Sequence, residues 1–174
     1  MNKGGGRDDY TQSVIEYKNI LNYDTPSGSY SHTGLIENSK NIWMHPNRSD
    51  LFRITQLNPW PFIQKPYQVG SKYSWSLKTG SQWGDVRWQT WDGLVETKYQ
   101  YKIVEETSVK IGRKEYPCLK IEGEGTSKLG KTFSTAYFNE EVGFLRIEYT
   151  NIDSSQLIIN LIEIISKGGS DFQI

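Results

Sequence analysis

The residues best suited to chemistry lie together in the tryptophan-rich stretch before residue 92. Aromatic planes can stack on the apolar faces of sugar rings, while Asp, Arg and Gln side chains hydrogen-bond to sugar hydroxyl groups. Five residues at alternate positions combine both abilities: Trp83, Asp85, Arg87, Gln89 and Trp91. The pattern indicates an exposed carbohydrate-binding face, but any solvated β-strand also alternates polar and aromatic residues. Both interpretations stay open.

Catalytic arrangements have less support in the sequence. A glycosidase pair of carboxylates would come from Asp85, Asp92 and Glu96, yet none of these acids lies in an apolar run that would raise its pKa. A histidine-activated nucleophile would need His32 or His45, and both are expected outside strands. The sequence therefore predicts a protein that is not an enzyme, with a small hydrolase as the third hypothesis.

Composition argues against several other classes of function. Twenty Lys and Arg residues balance twenty Asp and Glu residues, so no positive field gathers nucleic acid. Cys118 is the sole cysteine, which excludes an intrachain disulfide and a cysteine-based zinc site. The two histidines lack metal-binding spacing. We expect no metal, no cofactor and no nucleic-acid partner.

The two ends of the chain differ in composition from its middle. Residues 1–12 include three consecutive glycines and predict a flexible leader, followed by a single β domain over 13–166 and a C-terminal tail over 167–174. The leader has no apolar stretch typical of a signal peptide. Two interpretations follow: a cytoplasmic protein, or an exported chain from which a signal has been removed.

Alternation of apolar and polar residues predicts β-strands almost everywhere after residue 66. Asp92-Gly93 is a preferred pair for a two-residue hairpin turn, which predicts that strands 84–91 and 94–104 are antiparallel neighbours. Other runs with the same period complete the set. They cover residues 72–78, 117–123, 131–138, 144–150 and 156–165.

The first part of the chain has a weaker pattern. Residues 13–23 predict a strand or a short helix. Residues 58–66 contain three prolines, which cannot donate to a strand ladder, so this segment is expected to cross the surface or wrap an edge. The predicted fold class is all-β: an antiparallel meander of about ten strands forming a curved half-barrel or a sandwich, with at most one short N-terminal helix.

The period of two also divides the tryptophans by face. On strand 84–91, Val86, Trp88 and Thr90 share one face, and the polar residues and Trp91 share the other. Because the first face matches the dry faces of neighbouring strands, Trp75 and Trp88 are expected in the core. Trp83 and Trp91 are the candidates for an exposed role.

Three segments resemble a known class of proteins. They are "NIWMHPNRSDLFRITQLNPWPFI", "VGSKYSWSLKTGSQWGD" and "STAYFNEEVGFLRIEYTNIDSSQLIINLIEI". Together they look like exported, lipoprotein-like domains of Gram-negative bacteria, which are similar to the open half-barrel of periplasmic lipoprotein carriers. The resemblance covers about residues 35–165. It implies a periplasmic or outer-membrane-tethered protein, with a membrane tether through an N-terminus that precedes this chain.

The resemblance also implies a ligand site. Such a half-barrel holds an acyl chain or another apolar molecule on its concave face. Here that face would be lined by Tyr73, Trp75, Leu77, Trp88, Tyr99 and Tyr101. The expected partner is an apolar or amphipathic small molecule, or another protein, bound by a monomer. If the concavity is filled by its own side chains, the same residues are simply core.

Overall fold

The protein folds into two antiparallel β-sheets, seen in a computed structural model that describes residues 10–18 and 30–164. Sheet A has the order β1 (Tyr10–Lys18), β2 (Tyr30–Asn38), β3 (Asn41–Met44), β4 (Phe62–Gln64). Sheet B is a meander of β5 (Lys72–Gly80), β6 (Leu94–Ile111), β7 (Lys114–Ser127), β8 (Gly130–Asn139), β9 (Gly143–Thr150) and β10 (Gln156–Asn160). Over the described ranges these strands do not close a barrel. The prediction of an all-β antiparallel meander is confirmed.

The N-terminal strand resolves one of the alternatives left by the sequence. Residues 13–18 continue strand β1, so the short helix is wrong for them. Residues 10–12, which the sequence assigns to the leader, belong to the same strand. Residues 1–9 of the leader, residues 19–23 of the early element and the whole tail lie outside the described residues.

Sheet B has one dry face, which we call the inner face. Its side chains form the main core cluster together with Ile42 of β3 and Ile63 of β4, so sheet A packs on this face. Alternate positions along the strands point inward, as the period of two predicts. The inner-face members of the cluster are Tyr73, Tyr99, Tyr101, Ile103, Ile121, Ala136 and Phe138.

Between β3 and β4 the chain packs against the inner face as an irregular segment that is not part of a strand. Residues 54–61, which we call the buried segment, are all buried and include the end of a 3₁₀ helix at Asp50–Leu57. β4 then runs along the edge of sheet A, as expected for a proline-rich stretch. The expectation of a surface course is wrong for residues 59–61, which lie inside the protein.

Hydroxyl groups of sheet B make this burial possible. A buried carbonyl without a hydrogen-bond donor is destabilising, and the buried segment has no strand partner to supply donors at these positions. Side chains of the inner face supply them instead. Thr132 Oγ1 donates to the Leu57 carbonyl (2.9 Å) and Tyr101 Oη to that of Trp60 (3.0 Å). Just beyond the segment, at the start of β4, Tyr73 Oη donates to the Phe62 carbonyl (2.8 Å).

Two glycines of β7 leave room for the buried segment. Gly123 pairs with Tyr101 of β6 and Gly125 with Tyr99, so each tyrosine lies beside a strand position without a side chain. A Cβ atom added at Gly123 would lie 2.8 Å from Cβ of Pro59 and 3.1 Å from the Tyr101 ring. The close approach of the buried segment to sheet B therefore depends on glycine here.

The segment between β5 and β6 differs from the prediction. Gly80 pairs with Leu94, so β5 and β6 are direct neighbours and residues 81–93 form the loop that connects them. A strand over residues 84–91 is therefore wrong, and so is a two-residue hairpin turn at Asp92-Gly93. This loop begins with a short 3₁₀ helix at Ser81–Trp83.

Side-chain hydrogen bonds explain why the alternating pattern of this loop does not become a strand. The Asp85 carboxylate accepts a hydrogen bond from the backbone N–H of Arg87 at 3.0 Å, and the backbones of Asp85 and Gln89 close a turn. Such local bonds compete with a strand ladder. As a result Val86, expected on the dry face, is 92% exposed.

Three strands differ in length from their predictions. β6 continues past residue 104 to Ile111, and β7 extends beyond both ends of the predicted run 117–123. The two strands form a long hairpin, whose outer end holds a second core cluster around Cys118 and Leu145. β10 ends at Asn160, so the strand predicted over residues 156–165 is too long. The remaining predicted strands of sheet B agree with β5, β8 and β9.

We predict that Gly123→Ala destabilises the protein. The new methyl group would collide with Pro59 and force the buried segment away from the sheet, and overpacking of this kind lowers the free energy of unfolding by roughly 1–3 kcal/mol. Urea unfolding followed by tryptophan fluorescence measures the change. Gly34→Ala is the matched control, because the closest contact of its methyl group would be the flexible end of the Gln12 side chain at 3.1 Å. Equal effects of the two substitutions would contradict this account.

Candidate binding cleft

An open cleft of about 420 Å³ lies where sheet A meets the edge strand β5 of sheet B. Its walls are apolar and aromatic, with two polar residues among them. The lining residues are Ile36, Asn41, Trp43, His45, Trp60, Phe62, Trp75 and Leu77. This is the size and chemistry of a small-molecule site in a protein.

Strand pairing brings the wall of sheet A together. Trp43 of β3 lies between Ile36 of β2 and Phe62 of β4, and directly paired residues have their side chains on the same face. On the opposite wall, Trp75 and Leu77 occupy alternate positions of β5 and share one face. Both remain half-buried, because β5 ends sheet B and no further strand covers them.

Trp60 forms the floor of the cleft and is held from several sides. Its ring packs edge-on against Trp75 at 5.1 Å and against His45 at 4.6 Å, measured between ring centroids. Tyr101 Oη donates to the Trp60 carbonyl and accepts from Nε1 of Trp75 at 3.1 Å. These contacts fix the rings before any ligand enters, and such preorganisation lowers the entropy lost on binding.

Two polar atoms at the cleft are buried and lack a hydrogen-bond partner among the described residues. They are Oδ1 of Asn41 and Nε1 of Trp60, and Trp60 is only 6% exposed. Ten other buried side-chain atoms of the described residues are unpaired in the same way, among them Oη of Tyr99 in the core, so these two atoms do not distinguish the cleft.

One end of the cleft is positively charged. Arg48 Nη2 donates to Nδ1 of His45 at 3.0 Å, and its guanidinium carbon lies 5.8 Å from the Trp60 ring centroid. Because arginine has no acceptor atom, Nδ1 of His45 must be unprotonated in this contact. Burial, and then the charge of Arg48, lower the pKa of His45 below its ordinary value.

The predicted concave-face residues divide into three groups. Trp75 and Leu77 line the cleft. Tyr73, Tyr99 and Tyr101 lie behind it in the core, at most 9% exposed, and burial raises the pKa of each phenol above its ordinary value.

Trp88 lies elsewhere, because residues 84–91 are a loop and not a strand. With Phe52 and Leu157 it lines a separate surface cavity of about 230 Å³. The guanidinium carbon of Arg87 lies 5.0 Å from the centroid of its ring. Trp88 is therefore neither an inner-face residue nor part of the cleft.

Six residues of the cleft were not predicted from the sequence to line a ligand site: Ile36, Asn41, Trp43, His45, Trp60 and Phe62. Sheet A supplies most of them through pairings whose register the sequence does not reveal. One signal was available, since Trp60 and Phe62 are bulky aromatics in a proline-rich stretch too apolar for a surface loop.

The alternative carbohydrate face is a loop whose polar groups bind one another. Arg87 contacts the Asp85 carboxylate through Nε at 2.9 Å and Nη2 at 2.8 Å, and it reaches Asp50 at 3.2 Å. Hydrogen bonds from Arg87 lower the pKa of Asp85 to about 2. Gln89 donates to a neighbouring carbonyl at 3.4 Å, and Trp91 packs beside Gly84.

Within the described residues, the candidate catalytic histidines do not form an active-site arrangement. His32, expected in a loop, lies in strand β2 and contacts Glu16 at 3.3 Å. His45 follows the end of β3, where its backbone N–H donates to the Gly34 carbonyl. Cys118 is buried, which raises the pKa of its thiol. The described residues contain no group of three or more His, Cys, Asp and Glu side chains placed to hold a metal ion.

Comparisons with protein-family models, with curated proteins and with solved structures find no match to this chain. Within the described ranges no helix has the length and apolar character needed to cross a membrane.

We predict a pH-dependent stability that comes from His45. Its pKa is lowered on folding, so the unfolded chain binds a proton more readily. The stabilisation is complete above the unfolded pKa of about 6.5 and is lost as the pH falls through the lower folded value. Unfolding free energies measured from pH 8 to pH 5 should fall less in His45→Gln than in the wild type.

Nuclear magnetic resonance titration of the two imidazoles tests the cause directly, with His32→Gln used to assign the signals. A pKa for His45 at or above its ordinary value would contradict the prediction, and so would an unchanged pH dependence in His45→Gln.

Proposed function

We propose that the protein is a non-enzymatic binding protein that holds an amphipathic or lipid-like small molecule in the cleft between its two sheets. The observation that carries the proposal is an open cleft lined by aromatic and apolar side chains beside the main core cluster. Export and a lipoprotein-like identity stay predictions from the resemblance.

The cleft supports this role through its mixture of surfaces. Trp43, Phe62, Trp75 and Leu77 offer flat and branched apolar surface, whose burial by a ligand contributes about 25 cal/mol per Å². Asn41 and His45 add polar side chains to the same lining. A molecule with an apolar body and a polar group fits both features.

A carbohydrate is the second candidate ligand. Half-buried tryptophans beside Asn41 and His45 have the chemistry of a sugar platform. We rank it second because Asp85 and Arg87, the predicted partners of sugar hydroxyls, bind each other in the loop. We propose no catalytic step, since the phenols behind the cleft have raised pKa values and Asp85 is held ionised by Arg87.

We predict that Leu77→Glu weakens binding of phenylnaphthylamine, a neutral fluorophore whose emission rises in apolar sites. A carboxylate placed in the cleft wall must lose water when the apolar probe binds, so we expect the affinity to fall by at least about tenfold. Fluorescence titration of the purified proteins measures the affinity.

Ser76→Glu is the matched control, because it adds the same charge to the same strand on its exposed opposite face. The control should bind as the wild type does. The proposal fails if the wild type does not bind the probe, or if both variants bind equally well while circular dichroism shows both folded.

A further inference from the structure

Two arginines next to the cleft share one tryptophan. The guanidinium carbons of Arg48 and Arg53 lie 5.5 Å and 5.7 Å from the centroid of the Trp83 ring. Arg48 also lies over Trp60, the floor of the cleft, and donates to His45 in its wall. Stacking on indole rings restrains both guanidinium groups without using their N–H donors.

Neither arginine has a carboxylate partner in the part of the chain that the structure describes. The ion pairs there join other residues, and Arg87 alone takes two acids. Asp85 is close enough for the charge of Arg53 to lower its pKa, but its hydrogen bonds go to Arg87. Two unpaired cations near one ring repel each other, and an anion beside them would relieve this repulsion.

The free donors of Arg48 suit an acid group. A guanidinium carries five N–H donors, and the contacts of Arg48 within the described residues use one nitrogen, bonded to His45. Arg53 similarly donates through Nη2 to the Gln82 carbonyl. The remaining donors are available for the oxygens of a carboxylate or a phosphate, which arginine binds with charge-assisted hydrogen bonds.

We infer that the ligand of the cleft is anionic, with its apolar body among Trp43, Trp60 and Trp75 and its acid group bound by Arg48 beside His45. Arg53 adds positive charge at the same end. This inference rests on the proposed function, because it assigns the chemistry of the ligand that the cleft would hold. The acid group is a carboxylate, as in a fatty acid, or a phosphate, as in a phospholipid.

Two fluorophores with the same ring system test the inference. Anilinonaphthalene sulfonate carries one sulfonate that phenylnaphthylamine lacks, so the ratio of their affinities reports the contribution of negative charge. In the wild type the anionic probe should bind more tightly. In Arg48→Gln this preference, taken as the ratio of the two affinities within the same variant, should fall about tenfold, the equivalent of one charge-assisted hydrogen bond.

Two further variants separate a charge contact from loss of packing. Arg48→Lys should keep part of the preference, because it retains the charge without the fork of donors. Arg113→Gln, at the exposed tip of the β6–β7 hairpin, changes the net charge equally and should leave the preference intact. The preference of the wild type should also weaken with added salt.

Each outcome bears on one of the two proposals. If neither probe binds, the cleft is not a binding site and the proposed function fails. If both bind equally well, or if Arg48→Gln and Arg113→Gln act alike, the function stands and the anionic ligand is wrong. Displacement of the probes by dodecanoate and by dodecyl phosphate, with dodecanol as the neutral reference, then identifies which acid group binds more tightly.

Discussion

The architecture depends on how the buried segment satisfies its carbonyl groups. Residues 54–61 lie against the inner face of sheet B without belonging to a strand, and only near their end, at Pro61, does a backbone N–H of β3, that of Met44, donate to them. Hydroxyls of Thr132 and Tyr101 donate to the carbonyls of Leu57 and Trp60, and Tyr73 donates to Phe62 at the start of β4. Each hydrogen bond of this kind adds modestly to the free energy of unfolding, but a buried carbonyl left without one lowers that free energy more strongly. These tyrosines of the inner face are therefore donors to the buried segment and to β4 as well as apolar bulk.

The same bonds locate the cleft. Tyr101 donates to the Trp60 carbonyl and also accepts from Trp75, so one phenol of the core contacts both the floor and one wall of the open site. Gly123 sets how closely the buried segment, and therefore Trp60, approaches the sheet. The cleft remains open because β5 is the last strand of sheet B, which leaves Trp75 and Leu77 with cover on one side only.

The sequence predicts those parts of the fold that depend on local pattern. Alternation along the chain locates the strands of sheet B and the shared face of Trp75 and Leu77, because side chains of a strand repeat with a period of two. It misleads over residues 84–91, where Asp85 and Arg87 form a turn that composition does not reveal. Trp60 was not predictable as the floor of a cleft, because its position depends on contacts with Tyr101 and His45, which are distant in sequence.

The cleft is hard to explain as a packing defect. The core behind it is filled by large side chains such as Tyr99 and Phe138, which are almost fully buried, so this sequence can close its interior where nothing else is required. At the cleft it instead leaves aromatic surface open to water, which lowers stability. Natural proteins accept such a loss chiefly at sites that serve a function. An anionic, largely apolar ligand would cover this surface and place its acid group beside Arg48, which lies over Trp60 and donates to His45.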